Sequence, residues 1–94
     1  MDQLEIRHEK DRSRFVAEAD GGESVLQYED RGNGILEYQS TFVPPELRRR
    51  GIASRLVRYA LDYAREHSYR VVPTCWFVRQ TIEKEPEYAD LVAD

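Results

Sequence analysis

The sequence of 94 residues has one cysteine, Cys75, and only two histidines, His8 and His67. A single cysteine excludes an intramolecular disulfide, and a lone thiol is more typical of a reducing cytosol than of a secreted protein. Two histidines and one cysteine at unrelated spacings do not form a ligand set, so we expect no metal site. No Ser/His/Asp arrangement is evident either.

The sequence also lacks a long apolar run and an excess of basic residues. No apolar stretch approaches 18 residues, and the first residues carry neither a basic lead nor a hydrophobic segment. We therefore expect no membrane span, no signal peptide and a cytoplasmic location. The chain has 14 Lys and Arg against 18 Asp and Glu, a formal net charge of −4. This acidity weighs against nucleic acid as a partner, because counterion release needs a basic face.

Tyrosine and charged residues, by contrast, are plentiful. Six tyrosines, 40% hydrophobic residues and 34% charged residues are typical of a globular domain. A chain of this length buries roughly two-thirds of the surface that its unfolded form exposes. We expect residues 1–94 to form a single compact domain, and the sequence leaves open whether it is a monomer or a weak dimer.

Alternating apolar and polar residues predict four antiparallel strands before residue 44. The strongest turn signals between them are Asp20-Gly21-Gly22 and Gly32-Asn33-Gly34, because glycine reaches positive φ without a steric cost. The predicted strands are Leu4 to His8, Arg14 to Ala19, Ser24 to Asp30 and Ile35 to Val43.

The pattern changes after Pro44 and Pro45, which cannot continue a strand ladder. Apolar residues then recur at helical spacing, at Ala53, Leu56, Val57, Ala60, Leu61 and Ala64. The residues from Tyr69 to Cys75 predict a buried strand, and those from Phe77 to Ala93 predict one or two short helices. The fold class is therefore α/β (α+β): a mixed, mostly antiparallel sheet with one strand–helix–strand crossover between parallel strands.

A basic loop leads into the predicted helix. It consists of Arg48, Arg49, Arg50 and Gly51, and the helix begins with Ile52, Ala53 and Ser54. The first N–H groups of a helix have no intrahelical partner, and the helix dipole favours negative charge there. Glycine also allows the backbone to approach a ligand closely. The loop thus predicts a phosphate or pyrophosphate site formed by N–H groups of about residues 49–54, with a solvated basic turn as the alternative.

These residues resemble a known signature. Arg48-x-x-Gly51-x-Ala53 is similar to the R/Q-x-x-G-x-G/A pattern of the GNAT N-acetyltransferase superfamily, and it lies in the same place, before the crossover helix. Three other segments resemble the minimal single-domain branch of that superfamily: Thr41-x-Val43-Pro44, Val72-Pro73-x-Cys75-x-Phe77-Val78 and Pro86-Glu87-Tyr88. The resemblance covers about residues 4 to 92.

The resemblance implies coenzyme A, or its acetyl ester acetyl-CoA, as the ligand of the loop. It places the pantetheine arm between strands that diverge near Val43 and Cys75, where backbone groups of Phe42 and Val43 pair with its amides. The implied activity is transfer of the acetyl group to an amine, which the sequence does not identify.

The same resemblance makes Cys75 and Tyr88 the candidate catalytic residues. Cys75 would lie near the coenzyme A sulfur, where it takes the acetyl group or lines the pocket; its alternative is a small buried side chain. Tyr88 would protonate the departing thiolate, with packing as its alternative role. Weaker candidates on the amine side are Glu37, Tyr38 and Glu83.

The chain departs from the resembled pattern at three positions. Relatives often carry glycine in place of Arg49 and histidines in place of Ser40 and Glu85, and the latter two changes remove imidazoles that titrate near neutral pH. His8 and His67 are assigned to a strand and to a helix end. Two other functions therefore stay open, a coenzyme A or acyl-CoA binding protein with little turnover and an interaction module built on the arginines.

Overall fold

A computed structural model describes residues 4–93, which form a five-stranded sheet with its helices on one face. The strands are β1 (Glu5–Glu9), β2 (Arg14–Ala19), β3 (Gly22–Gly32), β4 (Ile35–Phe42) and β5 (Arg70–Pro73). The helices are α1 (Ile52–Glu66) and α2 (Trp76–Lys84), with short 3₁₀ helices at Lys10–Arg12, Pro45–Leu47 and Pro86–Leu91. No helix in this part of the chain is long and apolar enough to cross a membrane.

The strands lie in the order β1-β2-β3-β4-β5, and every neighbouring pair is antiparallel except β4 and β5. The predicted meander, crossover helix and parallel strand are thus confirmed. β3 is longer than predicted because both of its ends find partners in the ladder. Gly22 lies opposite Ala19, and Gly32 lies opposite Ile35.

The predicted strand from Tyr69 to Cys75 is too long at both ends. β5 ends at Pro73, because the N–H of Thr74 donates back to the carbonyl of Val72 at 3.0 Å and turns the chain. Cys75 is therefore the N-cap of α2 rather than the last residue of a strand. Its N–H still reaches β4, donating to the carbonyl of Tyr38 at 2.9 Å.

The hydrophobic core lies between α1 and one face of the sheet. The buried residues of α1 are Ile52, Leu56, Val57, Ala60, Leu61 and Ala64. Burying a side chain such as Leu56 contributes about 2 kcal/mol. On the sheet, the buried hydroxyl of Tyr38 donates to the carbonyl of Ala60 at 2.5 Å and ties β4 to the helix. Ala53 belongs to the predicted apolar stripe but is only partly buried.

β4 contains a bulge at Gln39. Tyr38 lies opposite Tyr28 and Ser40 lies opposite Gln27, so Gln39 has no partner on β3. β4 pairs with β5 only from residue 35 to 38. Residues 39–42 continue for roughly 13 Å, and among residues 4–93 no strand lies beside them on that side. The two parallel strands therefore separate after Tyr38.

Within residues 4–93, no helix covers the opposite face of the sheet, which we call the outer face. Side chains alternate along a strand, so the outer face carries the residues that alternate with those of the core. They are Glu5, Arg7, Glu9, Arg14, Val16, Glu18, Glu23, Val25, Gln27, Glu29, Glu37, Ser40 and Phe42. One of them, Val16, is also buried but does not belong to the core cluster.

Candidate functional site

The start of α1 presents backbone N–H groups without partners. Gly51 is the N-cap with φ 77°, and no side chain caps the helix. The N–H of Arg48 donates to Pro45 and that of Arg55 to Gly51, at 3.3 and 3.2 Å. For the six N–H groups of residues 49–54, no acceptor lies within hydrogen-bonding distance in the described part of the chain. The first turn contains no acidic residue, so nothing there opposes an anion.

A cavity of about 260 Å³, the loop cavity, lies against this turn. It is lined by Val43, Leu47, Arg48, Arg49, Gly51, Ile52, Ala53, Ser54 and Phe77. A Cβ added at Gly51 would meet no heavy atom within 4 Å. The glycine therefore satisfies a positive φ and leaves open space in which a ligand can approach the backbone.

A second cavity of about 400 Å³, the cleft cavity, continues from the first. Its lining residues are Thr41, Phe42, Val43, Arg48, Ala53, Trp76 and Phe77, four of which also line the loop cavity. Two aromatic rings stand at its mouth with unusually high exposure, Phe42 at 53% and Trp76 at 65%. Together the two cavities form one groove from the start of α1 to the end of β4.

Arg48 forms part of the wall of both cavities. Its Nε–H donates to the carbonyl of Val43 at 2.8 Å, which ties the loop to the chain just after β4. The rest of the guanidinium has no acceptor within hydrogen-bonding distance among residues 4–93, so its N–H groups can reach an anion in the groove. The Val43 carbonyl, expected to pair with pantetheine, already accepts this one bond.

The other two arginines of the loop have different surroundings. Arg49 lines the loop cavity and adopts φ 68°, a left-handed conformation that favours glycine. Glycine, which the family resemblance implies at this position, would adopt this φ without strain. The guanidinium of Arg50 is paired with Asp20 in the turn between β2 and β3 and lies outside both cavities. The side chain of Arg50 therefore contributes no charge to the groove.

Cys75 lies where β4 and β5 separate, but its thiol does not line the groove. The residue is 8% exposed, and Sγ lies 3.4 Å from the Oγ1 of Thr41. Thr41 lines the cleft cavity, whereas Cys75 lines neither cavity. The position matches a small side chain packed behind the cavity wall.

Tyr88 lies away from the groove. Its hydroxyl donates to the Oδ1 of Asp62 at 2.8 Å. Tyr88 lines neither the loop cavity nor the cleft cavity. Burial, followed by the hydrogen bond to Asp62, raises the pKa of Tyr88 to about 12. Such a phenol is a weak acid toward a thiolate, whose own conjugate acid has a pKa near 8.5 in cysteine.

The three weaker candidates occupy separate places. Tyr38 is fully buried in the core. Glu37 lies on the outer face, where hydrogen bonds from Thr74 and then Arg31 lower the pKa of its carboxyl group. Glu83 lies on α2 and, with Trp76, lines a small pocket of about 130 Å³. Only Glu83 therefore shares a pocket with a residue of the cleft.

Neither histidine reaches the groove. His8 stacks on Phe15 with ring centroids 4.3 Å apart, and its Nε2 lies 2.6 Å from the hydroxyl of Tyr28. Burial lowers the pKa of His8. His67 is the C-cap of α1, with its ring centroid 4.3 Å from that of Tyr63. No imidazole of the described chain is thus available to the groove.

Sequence reasoning missed four residues that line the groove: Thr41, Leu47, Trp76 and Phe77. Trp76 had a usable signal, because it is the only tryptophan and follows directly on the Val-Pro-x-Cys segment. Leu47 had a weaker one, an isolated apolar residue between two prolines and three arginines. Its side chain is buried and anchors the loop to the core.

Comparison with known proteins identifies the family. The sequence pattern of GCN5-related N-acetyl-transferases matches residues 14–91. The chain belongs to this family. Protein NATD1 of Bos taurus is 34% identical over 85 residues, which cover 88% of this chain and 75% of the relative. Protein NATD1 of Homo sapiens is 33% identical over the same length, with the same coverage.

A solved structure supports the same assignment to the GCN5-related family. The solution structure of a GCN5-like protein from Staphylococcus aureus superposes with a TM-score of 0.75 and 25% sequence identity. The superposition covers 99% of this chain and 91% of that protein. The fold class and the resemblance inferred from the sequence are therefore confirmed.

The groove of this GCN5-related family member fits the ligand that the family implies. Free N–H donors, an uncovered glycine backbone and two arginine side chains meet at the loop cavity. A pyrophosphate needs this combination of donors and positive charge. The free edge of β4 extends from there with unpaired amide groups that suit the amides of a pantetheine arm.

Proposed function

We propose that this protein is an N-acetyltransferase that moves the acetyl group of acetyl-CoA to an amine. One observation carries the proposal. In a chain of the GCN5-related family, six consecutive N–H groups without partners lie at the start of α1, and five of these six residues line the loop cavity. A donor set of this kind is complementary to the pyrophosphate of coenzyme A.

In the proposed complex, the loop residues bind the phosphates in different ways. The N–H groups of residues 49–54 donate to phosphate oxygens, and Arg48 and Arg49 add charge from the cavity wall. Hydrogen bonds to charged groups contribute about 1.5–3 kcal/mol each. Gly51 has no side chain, and the space that a Cβ would occupy is open. The phosphates can therefore approach the N–H donors closely.

The free edge of β4 is the proposed binding site of the pantetheine arm and the acetyl group. Residues 39–42 have no strand beside them on the β5 side within the described chain, so their peptide groups on that side are free to pair with amides. A backbone N–H at this edge, with those of Phe42 and Val43 as the sequence-based candidates, would polarise the acetyl carbonyl.

The acceptor amine must reach the groove in its neutral form. No imidazole lies there, and Glu37 is held as a carboxylate of lowered pKa by Thr74 and Arg31. The proton of the amine is therefore released to solvent, and the departing thiolate is protonated from solvent. We assign Cys75 a packing role behind the cleft, because it is buried, contacts Thr41 and lines neither cavity.

The test is to incubate the protein with acetyl-CoA and a panel of small amines and lysine peptides while measuring release of free thiol. We expect release above background with at least one amine. Gly51→Glu places a carboxylate beside the anion site and should weaken coenzyme A binding at least tenfold. Gly32→Glu is the matched control, because Gly32 has φ 81° and equally open space but lies at the far hairpin. Unchanged coenzyme A affinity in Gly51→Glu would contradict the assignment of the loop as the phosphate site.

A second function has one observation in its favour. Both histidines lie outside the groove and Tyr88 is bound to Asp62, so among the described residues no carboxylate, imidazole or phenol lines either cavity of the groove. This arrangement suits a coenzyme A or acyl-CoA binding protein with little turnover. In the same assay, tight binding without thiol release for any amine would select this alternative.

A further inference from the structure

Three glutamates form a row across the outer face. Glu5 lies opposite Glu18, and Glu18 lies opposite Glu23, on three neighbouring strands. Directly opposed side chains on one face stand about 5 Å apart, and like charges in this arrangement destabilise a sheet. All three residues are exposed. The row therefore suits a ligand of opposite charge.

The nearby arginines neutralise the row only in part. Arg7 donates to Glu9, Glu18 and Glu23 at 2.9, 2.9 and 2.8 Å. Arg14 donates to Glu9 at 2.6 Å. With Glu5 included, four glutamates share two arginines, which leaves two negative charges in excess on this part of the outer face.

The acidic row is next to the mouth of the groove. Glu23 lies two residues before Val25 on β3, roughly 7 Å along the strand. Val25 lies directly opposite Phe42, whose exposed ring stands at the mouth of the cleft cavity together with Trp76. An uncovered surface thus runs from β1 to the groove.

We propose that this surface, from the Glu5–Glu18–Glu23 row to Phe42 and Trp76, docks a basic polypeptide segment and presents one of its lysines to the groove. The inference rests on the proposed function and names its acceptor. Charge complementarity selects the occupant, because basic side chains would pair with the row. Exposed aromatic rings add favourable contacts with a lysine stem and its cationic neighbours.

The size of the surface favours a polypeptide over a small amine. From β1 to β4 it crosses three strand spacings, roughly 14 Å. A basic residue at one end would reach the glutamates while a lysine several residues away enters the cleft. In the transfer, the neutral lysine nitrogen forms a bond to the acetyl carbonyl carbon and the carbon–sulfur bond breaks. The nitrogen loses a proton to water and the thiolate gains one, which gives acetyl-lysine and coenzyme A.

Direct binding is the first test, and Trp76 supplies the signal as the only tryptophan of the chain. The probes are a peptide with one lysine among arginines and a matched peptide with the same lysine among serines. We expect the basic peptide to change Trp76 fluorescence at concentrations where the neutral one does not. The combined variant Glu5→Gln, Glu18→Gln and Glu23→Gln should weaken this binding roughly tenfold.

The matched control is Glu66→Gln, an exposed glutamate at the end of α1 away from the outer face. It should bind the basic peptide like the original protein. The combined variant should keep its coenzyme A affinity, because none of the three glutamates lines the groove. Its thermal midpoint should change little, because the repulsion that it relieves offsets the two exposed ion pairs with Arg7 that it removes. Equal peptide affinity in the original protein and the combined variant would overturn the docking surface. So would a dimer, seen by sedimentation, that the combined variant loses.

The acetylation assay separates this inference from the proposed function. We expect kcat/KM for the basic peptide to exceed that for the neutral one, and the combined variant to lose this preference. Equal kcat/KM for both peptides would overturn the basic acceptor while leaving the transferase in place. Peptide binding that depends on the glutamates but yields no thiol release would support the docking surface and contradict the transferase.

Discussion

At the scale of single residues, two backbone conformations shape the loop at the start of α1. Gly51 at φ 77° turns the chain into the helix, and Arg49 at φ 68° turns it two residues earlier. Only the glycine adopts this region without a steric penalty. Arg49 therefore strains the loop while contributing its charge to the cavity.

We predict that Arg49→Gly stabilises the protein by about 0.7 kcal/mol, because removing the Cβ relieves the left-handed strain. The thermal midpoint should rise by roughly 3–6 °C, and coenzyme A affinity should fall through the lost charge. Arg48→Gly is the matched control, since Arg48 has φ −71° and bonds to Val43. It should destabilise. A lower midpoint in Arg49→Gly would show that its side chain supports the fold.

At the scale of elements, the last 3₁₀ helix is fastened to α1 by polar contacts. Tyr88 donates to Asp62, and Arg65 donates to Asp90 at 2.8 Å. A third contact, from Arg58 to Glu85 at 2.7 Å, fixes the end of α2. At Glu85, where the family resemblance implies histidine, the side chain instead forms the ion pair with Arg58 that fixes the end of α2.

Tyr88→Phe separates a structural from a catalytic role for this tyrosine. We predict a loss of about 1 kcal/mol in unfolding free energy, because one hydrogen bond to an exposed carboxylate disappears. Urea denaturation measures it. The rate of acetyl transfer should stay within twofold, since the hydroxyl lies away from the groove. A tenfold or larger fall in kcat with unchanged KM would reinstate Tyr88 as the proton donor.

At the scale of the whole molecule, local patterns in the sequence predicted most of the fold. The bounds of β2 match the prediction, because Phe15, Ala17 and Ala19 alternate without interruption and a glycine turn follows. The prediction also placed the start of α1, since the prolines and Gly51 mark it. The predicted end of β5 was wrong, although Pro73, which cannot continue a strand ladder, directly precedes the turn at Thr74.

Much of the site depends on contacts between distant segments and was therefore hidden in the sequence. The bulge at Gln39 exists only in the pairing of β3 with β4, and glutamine carries no signal for it. Arg50 was expected at the ligand, but Asp20, thirty residues away, holds its side chain. The acidic row on the outer face likewise needs the register of three strands.

The central claim is that the N–H groups of residues 49–54 hold the phosphates of coenzyme A. Titration of ¹⁵N-labelled protein with coenzyme A, followed by amide NMR shifts, tests it most directly. The account predicts that the amides of residues 49–54 move together with one dissociation constant, while those of the far hairpin around Asn33 stay in place. Saturable coenzyme A binding that leaves the amides of residues 49–54 unmoved would contradict the account.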